Sequence, residues 1–272
     1  MGYGVSQTRV LGFWCFNAGI GFREIQSLKP RSIILTSGTL SPLTSFQAEL
    51  QLQFNQRLEN PHVISPDQVS INILTRGPKS LHGGPESVFN FSYQNRDNDG
   101  VFYDLGRSVA KIAENTPGGM LIFFPSYRVM EKCHEIWESQ RVTQDIETKA
   151  AKKVFMEPKD PAKYQATMEK YYKTIFGGTG KGPQKGIGKH NGGAVLMGVC
   201  RGRISEGLDF SDNAARCVIV IGIPYPQMTD PKVILKKDYL DRKFRSGPKA
   251  NSDLQTLSGK DWYGQQATRA VN

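Results

Sequence analysis

The chain has 272 residues, a formal net charge of +10 and 38% hydrophobic residues. Its mean hydropathy is −0.42, and its sequence holds no apolar run near the roughly 20 residues of a membrane span, so we expect no membrane partner. The positive charge is typical of proteins that bind a polyanion, nucleic acid first, with a generally basic soluble protein as the alternative.

The four cysteines are widely scattered, and no pair has the spacing of metal ligands or of a disulfide framework. The amino terminus has no charged-then-apolar pattern of a secretion signal. Together these features predict a reducing compartment, cytosol or nucleus. Cys200 and Cys217 fall in apolar runs and are predicted to be buried thiols.

The first third of the chain mixes short apolar runs with helical spacing. Ser32–Leu35 is predicted to be a strand that leads into the hydroxyl-rich loop Thr36–Pro42. Residues 77–99 are rich in Gly, Pro, Asn and Ser, which predicts a long exposed connection and a domain boundary. The other predicted elements here are strands at Val10–Phe16 and Val69–Leu74, and helices at Gly21–Leu28 and Thr44–Leu50, the latter capped by Thr44 or Ser45.

The remainder of the chain alternates strands with helices. This order indicates an α/β fold with a parallel sheet, because parallel strands need helical crossovers. The predicted strands are Met120–Phe124, Lys153–Met156, Ala194–Val199 and Cys217–Ile223, and the predicted helices are Tyr103–Asn115, Val129–Ser139, Tyr164–Phe176 and a last one from Asp261 onward.

Three loops each follow a predicted buried strand: Thr36–Pro42, Pro125–Tyr127 and Arg201–Asp209. The carboxyl ends of parallel strands meet at one edge of a sheet, so we expect the three loops to share that edge. Their hydroxyls, backbone N–H groups and arginines suit phosphate oxygens better than an apolar ligand. For any one loop taken alone, a solvated turn is the alternative.

Residues 177–182, Gly-Gly-Thr-Gly-Lys-Gly, superficially match a phosphate-binding loop. That motif needs a glycine five residues before its Gly-Lys pair and Ser or Thr after the lysine, but Ile175 and Gly182 stand there. We therefore predict a flexible basic loop. The four histidines are isolated in sequence, and no Gly-x-Ser-x-Gly elbow is present.

The order of four motifs resembles the superfamily-two DNA helicases of the xeroderma pigmentosum group D type, which are iron–sulfur, DEAH-box helicases. The resemblance is greatest to the Fanconi anaemia group J and regulator-of-telomere-elongation branch, where a sequence like that of Trp262–Asn272 leads into the last helicase motif. It covers nearly the whole chain. The motifs are TSGTLSP (Thr36–Pro42), LIFFPSY (Leu121–Tyr127), VCRGRISEGLDFSD (Val199–Asp212) and VIVIGIPYP (Val218–Pro226).

The resemblance implies a role for each matched residue. Thr36–Pro42 corresponds to helicase motif three, Pro125–Tyr127 to motif four and Arg201–Asp209 to motif five. An alternative for Glu206 is a salt bridge to Arg201 or Arg203 that only shapes the loop. The residues implied to face DNA are Ser37, Ser126, Tyr127, Arg201, Arg203 and Ser205, and those implied to face the nucleotide cleft are Gly38, Thr39, Glu206, Gly207 and Asp209.

The resemblance also implies parts of the enzyme that this sequence does not carry. The phosphate-binding Gly-Lys-Thr, the Asp-Glu-Ala-His box and the cysteines of the iron–sulfur cluster are expected upstream of Met1, and the arginines of motif six after Asn272. ATP and Mg²⁺ would serve the full enzyme, with no complete catalytic set and no metal site in this chain. We therefore expect the chain alone not to hydrolyse ATP.

The fold implied is a RecA-like parallel sheet with helices on both faces, the second helicase lobe, preceded by a remnant of the first lobe. The expected divisions are residues 1–75, the end of the first lobe; 76–99, a linker; and 100–272, the second lobe. Since residues 1–75 cannot complete a lobe, we expect an exposed apolar face, with poor solubility or a docked, non-native arrangement.

The function implied is part of an ATP-dependent DNA helicase that acts 5′ to 3′ in repair or genome maintenance, in the nucleus. Its expected partners are single-stranded or forked DNA and the first lobe of the same polypeptide. The first alternative is a non-catalytic nucleic-acid-binding or regulatory module without ATPase activity. The second is a nucleotide-binding α/β enzyme unrelated to DNA, which would rest on the sheet and loops alone.

Overall fold

The computed structural model describes residues 11–37, 40–60, 63–78, 87–95, 98–177, 192–246 and 257–271. Contacts divide the chain into two compact units, one built mainly from residues 1–62 and 225–270 and the other from residues 63–224. In chain order the described helices and strands are α1 (Gly19–Ser27), α2 (Leu43–Leu50), α3 (Asp99–Asn115), β1 (Gly118–Phe124), α4 (Tyr127–Ser139), α5 (Val142–Lys149), β2 (Lys152–Met156), α6 (Pro161–Phe176), β3 (Gly193–Val199), α7 (Arg203–Gly207), β4 (Cys217–Val220), α8 (Pro231–Ser246) and α9 (Gly259–Arg269).

The unit of residues 63–224, the sheet unit, is organised around a four-stranded sheet with strand order β2-β3-β1-β4. All three strand pairings are parallel, and Phe124 at the end of β1 lies opposite Val199 at the end of β3. The two central strands are almost wholly buried, which agrees with their continuous apolar sequence. The predicted α/β fold with a parallel sheet is confirmed.

Helices cover both faces of this sheet, because successive side chains of a strand point to opposite faces. Ile122 and its neighbours at every second position of β1 pack into the core beneath α3, α4 and α5. Leu121 lies on the other face, in a smaller cluster with Tyr171 of α6. Each cluster contains a buried hydrogen bond from a side chain to a backbone carbonyl. Trp137 Nε1 donates to the Phe102 carbonyl at 2.8 Å, and the Tyr171 hydroxyl donates to the Ala214 carbonyl at 2.6 Å.

Several helices of the sheet unit begin where a side chain caps the first turn. Asn98 accepts a hydrogen bond from the Val101 N–H ahead of α3, and Asp160 accepts one from the Ala162 N–H ahead of α6. Proline occupies the first position of α6, where its missing N–H leaves no bond unmade. Gly177 ends α6 in the left-handed conformation, and residues 178–191 of the predicted flexible loop lie outside the described residues.

The strands predicted in the first 75 residues are not present in the described residues. Residues 11–17, 32–37 and 69–74 have no regular structure there, and Leu11, Ile34 and Ile71 are strongly exposed. A strand needs a neighbour to bond its backbone, and within the ranges that the structure describes these runs pair with none. The predicted exposure of apolar side chains in this part is therefore confirmed; its effect on solubility stays a prediction.

The other unit is helical in its described residues and contains α1, α2, α8 and α9. The predicted hydroxyl cap of α2 was wrong: the helix begins after Pro42 without a side-chain cap, and Ser45 is instead buried and accepts a hydrogen bond from Gln265 of α9 at 2.7 Å. None of the helices among the described residues is long and apolar enough to cross a bilayer. The expected divisions at residues 75 and 99 stay a prediction.

Candidate functional site

Two of the three predicted loops lie side by side at the carboxyl edge of the sheet. β1 and β3 are hydrogen-bonded neighbours in register, and the Cys200 N–H just beyond β3 donates to the Phe124 carbonyl at the end of β1, at 2.9 Å. The segments Pro125–Tyr127 and Arg201–Asp209 therefore leave the sheet at adjacent points. The third loop, Thr36–Pro42, belongs to the other unit; Gly38 and Thr39 lie outside the described residues, and Ser37 is exposed.

A buried acid that the sequence analysis did not identify organises this edge. Glu157 follows β2 directly and is only 3% exposed. Its Oε2 accepts a hydrogen bond from the Val199 N–H at 2.8 Å, and its Oε1 accepts one from the Arg203 N–H at 3.1 Å. An acidic residue directly after a predicted buried strand was the sequence signal that could have found it.

The backbone between β3 and α7 takes a tight path around that carboxylate. Arg201 adopts a positive φ of 62°, an uncommon conformation for a residue with a side chain. A side chain at Gly202 would begin 2.7 Å from the Val199 carbonyl oxygen and 2.9 Å from Glu157 Oε1, so only glycine fits without a shift. Arg201 and Arg203 are both exposed, which leaves two cationic side chains at the surface of this loop.

Two of the three serines that the resemblance implies to face DNA, Ser126 and Ser205, already make hydrogen bonds within the site. Ser205 donates to the carbonyls of Val199 and Gly202, at 3.2 and 3.1 Å, which closes the turn at the start of α7. Ser126 caps α4 by accepting from the Val129 N–H at 3.4 Å. That bond uses an acceptor lone pair of Ser126, so its hydroxyl proton can still be donated to another acceptor.

Two tyrosines flank the Glu157 carboxylate. Burial, the charge of Glu157 and a hydrogen bond to it raise the pKa of Tyr127, while Arg203 acts in the opposite direction. Burial and the charge of Glu157 also raise the pKa of Tyr164, whose hydroxyl lies 3.5 Å from the Arg203 carbonyl oxygen. Both phenols therefore stay protonated at neutral pH and can donate.

The residues assigned to the nucleotide cleft are only partly described. Asp209 is exposed, and its charge adds to burial in raising the pKa of Tyr172. The backbones of Glu206 and Gly207 lie in α7, but the Glu206 side chain is outside what the structure describes, so its salt-bridge alternative stays open. In the part of the chain that the structure describes, no group of three or more His, Cys, Asp or Glu side chains could hold a metal ion.

Comparisons with known proteins place the chain among helicases. The family model described as "Helicase C-terminal domain" matches residues 109–272, more than half of the chain. The chain is 40% identical over 264 residues to the "Regulator of telomere elongation helicase 1 homolog" of Drosophila melanogaster, and 39% identical over 268 residues to that of Drosophila yakuba. These matches confirm the resemblance drawn from the motifs.

The matched region is nearly all of this chain but only a small part of each relative. The matches span 97% and 98% of this chain but only 24% of each Drosophila protein, so the chain spans about a quarter of the length of these relatives. A solved structure named "XPD_Helicase" matches with a TM-score of 0.35 and 16% identity, over 66% of this chain and 26% of that one. The assignment of this chain to the helicase family rests on the family model and on the identity to the Drosophila proteins.

Proposed function

Because the chain belongs to the family of helicase C-terminal domains, we propose that it is the carboxyl-terminal helicase lobe of an ATP-dependent DNA helicase. In this proposal the loops at the carboxyl edge of the sheet contact the DNA backbone. The observation that carries it is the pairing of Pro125–Tyr127 with Arg201–Asp209 at one edge, with Arg201 and Arg203 exposed there.

The chemistry of this edge suits phosphate contacts more than base recognition. Guanidinium groups bind phosphate oxygens in a planar, two-pronged geometry, and contacts to the backbone position a protein on DNA without reading its sequence. The net charge of +10 would strengthen such binding through the release of counterions. The edge therefore fits a motor that moves along single-stranded or forked DNA of any sequence.

The first lobe of the same polypeptide is the second expected partner. Leu11, Phe13 and Ile34 are between 83% and 100% exposed, although their sequences have the apolar character of buried strands. We propose that the remaining strands of a first RecA-like lobe pair with these runs in the whole enzyme. ATP and Mg²⁺ would then act between the lobes, and an iron–sulfur cluster would lie upstream of this chain.

The pathway follows from the relatives' names alone. The Drosophila proteins are named as regulators of telomere elongation, and by this similarity we propose a nuclear role in genome maintenance for the enzyme that contains this lobe. We include DNA repair among the genome-maintenance processes proposed for that enzyme.

The decisive experiment compares two arginines of the sheet unit. Arg203→Ala removes an exposed cation at the carboxyl edge; Arg216→Ala removes an exposed cation at the opposite edge, where the Arg216 N–H donates to the Gly119 carbonyl at the start of β1. Binding of fluorescent single-stranded DNA to the 272-residue chain is measured by anisotropy at several salt concentrations.

We expect Arg203→Ala to weaken binding about tenfold and to reduce the slope of log affinity against log salt by about 1. Arg216→Ala should have little effect on either quantity. Equal losses from both variants would mean that only the overall charge matters, and would refute a DNA site at the carboxyl edge.

The regulatory module remains a second candidate, because Glu157 and Ser205 hold the loop Arg201–Asp209 in shape with hydrogen bonds from this chain. An immunoblot of the natural protein separates the two candidates. A band several times larger than 30.3 kDa indicates a lobe of a full helicase, and a single band near 30.3 kDa indicates a module made on its own.

A further inference from the structure

The Glu157 carboxylate holds both ends of one short loop. Val199 is the last residue of β3 and Arg203 the first of α7, and the N–H groups of both donate to this side chain. Glu157 comes from a third place in the chain, the end of β2, where its own N–H donates to the Met197 carbonyl at 2.8 Å. One rigidly mounted acid therefore fixes the start and the end of the segment that carries Arg201.

The surrounding backbone leaves room for this carboxylate and for little else. Added side chains at Gly198 and Gly202 would begin 3.3 Å and 2.9 Å from its oxygens. Glu157 is almost fully buried, and its two bonds to backbone N–H groups supply the partners that a buried acid needs. Arg201 holds a positive φ within the same segment, a conformation that surrounding contacts must maintain.

We propose that Glu157 is a positioning residue for DNA binding, which fixes the backbone of residues 199–203 so that Arg201 and Arg203 face the phosphates. This inference rests on the proposed function, since it assigns Glu157 to the same DNA-contacting edge. Glu157 itself does not touch DNA. It acts through the two backbone N–H groups that it binds.

A carboxylate is required here because both of its oxygens accept hydrogen bonds. Glutamine has the same shape but only one acceptor oxygen, and its NH₂ group would face one of the two backbone N–H donors. Glu157→Gln therefore removes one bond, leaves one buried donor without a partner and changes the charge by one unit. The loop should loosen while the sheet unit stays folded.

The charge change makes the experiment decisive, because two explanations predict opposite signs. If Glu157 acted only through its negative charge near the phosphates, Glu157→Gln would tighten DNA binding. If it positions the loop, the same change weakens binding about tenfold and lowers the salt slope by about 1, as loss of one phosphate contact does. The control is Glu147→Gln, the same neutralisation at an exposed position of α5.

Anisotropy with single-stranded DNA on the full 272-residue chain gives the affinities, and amide hydrogen exchange reports on the loop. Exchange should speed up at Val199 and Arg203 in Glu157→Gln but not at the β1 amides. A second variant, Gly202→Ala, pushes a methyl group against the Glu157 carboxylate and the Val199 carbonyl without altering charge, and should give the same loss of affinity and slope.

Equal or tighter DNA binding by Glu157→Gln, with Gly202→Ala at wild-type affinity, overturns the positioning role. If Arg203→Ala still weakens binding in that case, the DNA-binding function stands and only the role of Glu157 fails. If Arg203→Ala has no effect either, the proposed function itself fails.

Discussion

Two apolar segments of this chain were both predicted to be strands, but only one of them forms a strand in the structure. Met120–Phe124 lies in the centre of a sheet with bonded strands on both sides, and Ile122 is fully buried. Ser32–Leu35 has no regular structure, and Ile34 is 83% exposed. The difference teaches that an apolar run becomes a strand only where partner strands exist, since the hydrogen bonds of a strand lie outside it.

The largest expected effect tests this difference directly. Ile122→Ala should lower the free energy of unfolding of the sheet unit by about 3 kcal/mol, because it removes buried methyl groups and leaves a cavity. Ile34→Ala, the same change at an exposed position of the other unit, should lower the free energy of unfolding of that unit by less than about 0.5 kcal/mol. Urea denaturation followed by circular dichroism measures both. A large loss from Ile34→Ala would show that the first run is packed after all.

A smaller effect concerns a buried hydrogen bond on the other face of the sheet. The Tyr171 hydroxyl is buried and donates to the Ala214 carbonyl, which joins α6 to the turn ahead of β4. Tyr171→Phe leaves that carbonyl without its partner and should lower the free energy of unfolding by about 1–2 kcal/mol.

Tyr164→Phe is the control for Tyr171→Phe. The Tyr164 hydroxyl bonds at 3.5 Å in an exposed setting, so its removal should change the stability by less than about 0.5 kcal/mol. Equal losses from the two variants in the same denaturation series would contradict the idea that the Tyr171 hydrogen bond stabilises the fold because it is buried.

The sequence allowed those helices and strands to be predicted that are marked by the spacing of apolar side chains or by a continuous apolar run. Helices α1, α3 and α6 were found within a few residues of their ends, because the spacing of their apolar side chains marks them, although the start of α6 at Pro161 was placed three residues too late, at Tyr164. The buried strands of the parallel sheet were found from their apolar runs. α5 was missed, since it begins after Arg141 without a capping side chain, and α8 was missed as well.

The residues of the candidate site likewise divide into those that the sequence predicted and those that only the structure revealed. Parallel strands placed Tyr127 and Arg203 at one edge in the sequence analysis, and the structure has them there. Glu157 was missed because its importance depends on two hydrogen bonds to residues more than 40 positions away, which sequence spacing does not encode. The double use of Ser205, which donates to two carbonyls, was likewise visible only in three dimensions.

The smallest expected effect concerns the charge buried at the amino edge of the sheet. Lys152 is fully buried, with its Nζ 2.5 Å from the Gly118 carbonyl oxygen. Burial lowers the pKa of Lys152 to about 8, with Cys217 acting weakly in the opposite direction. Since the unfolded chain keeps a lysine pKa near 10.5, it binds more protons than the folded chain between these values, and stability contributed by Lys152 rises with pH there.

Lys152→Met removes this titration, and Lys153→Met, at the exposed neighbouring position, keeps it. From pH 7 to pH 9 the free energy of unfolding of the wild type and of Lys153→Met should rise by about 1 kcal/mol relative to Lys152→Met. Ionisation of the cysteines in the unfolded chain affects all three proteins alike and cancels in the difference. A difference that stays constant with pH would contradict the lowered pKa and mean that the Lys152 ammonium is hydrated in the folded protein.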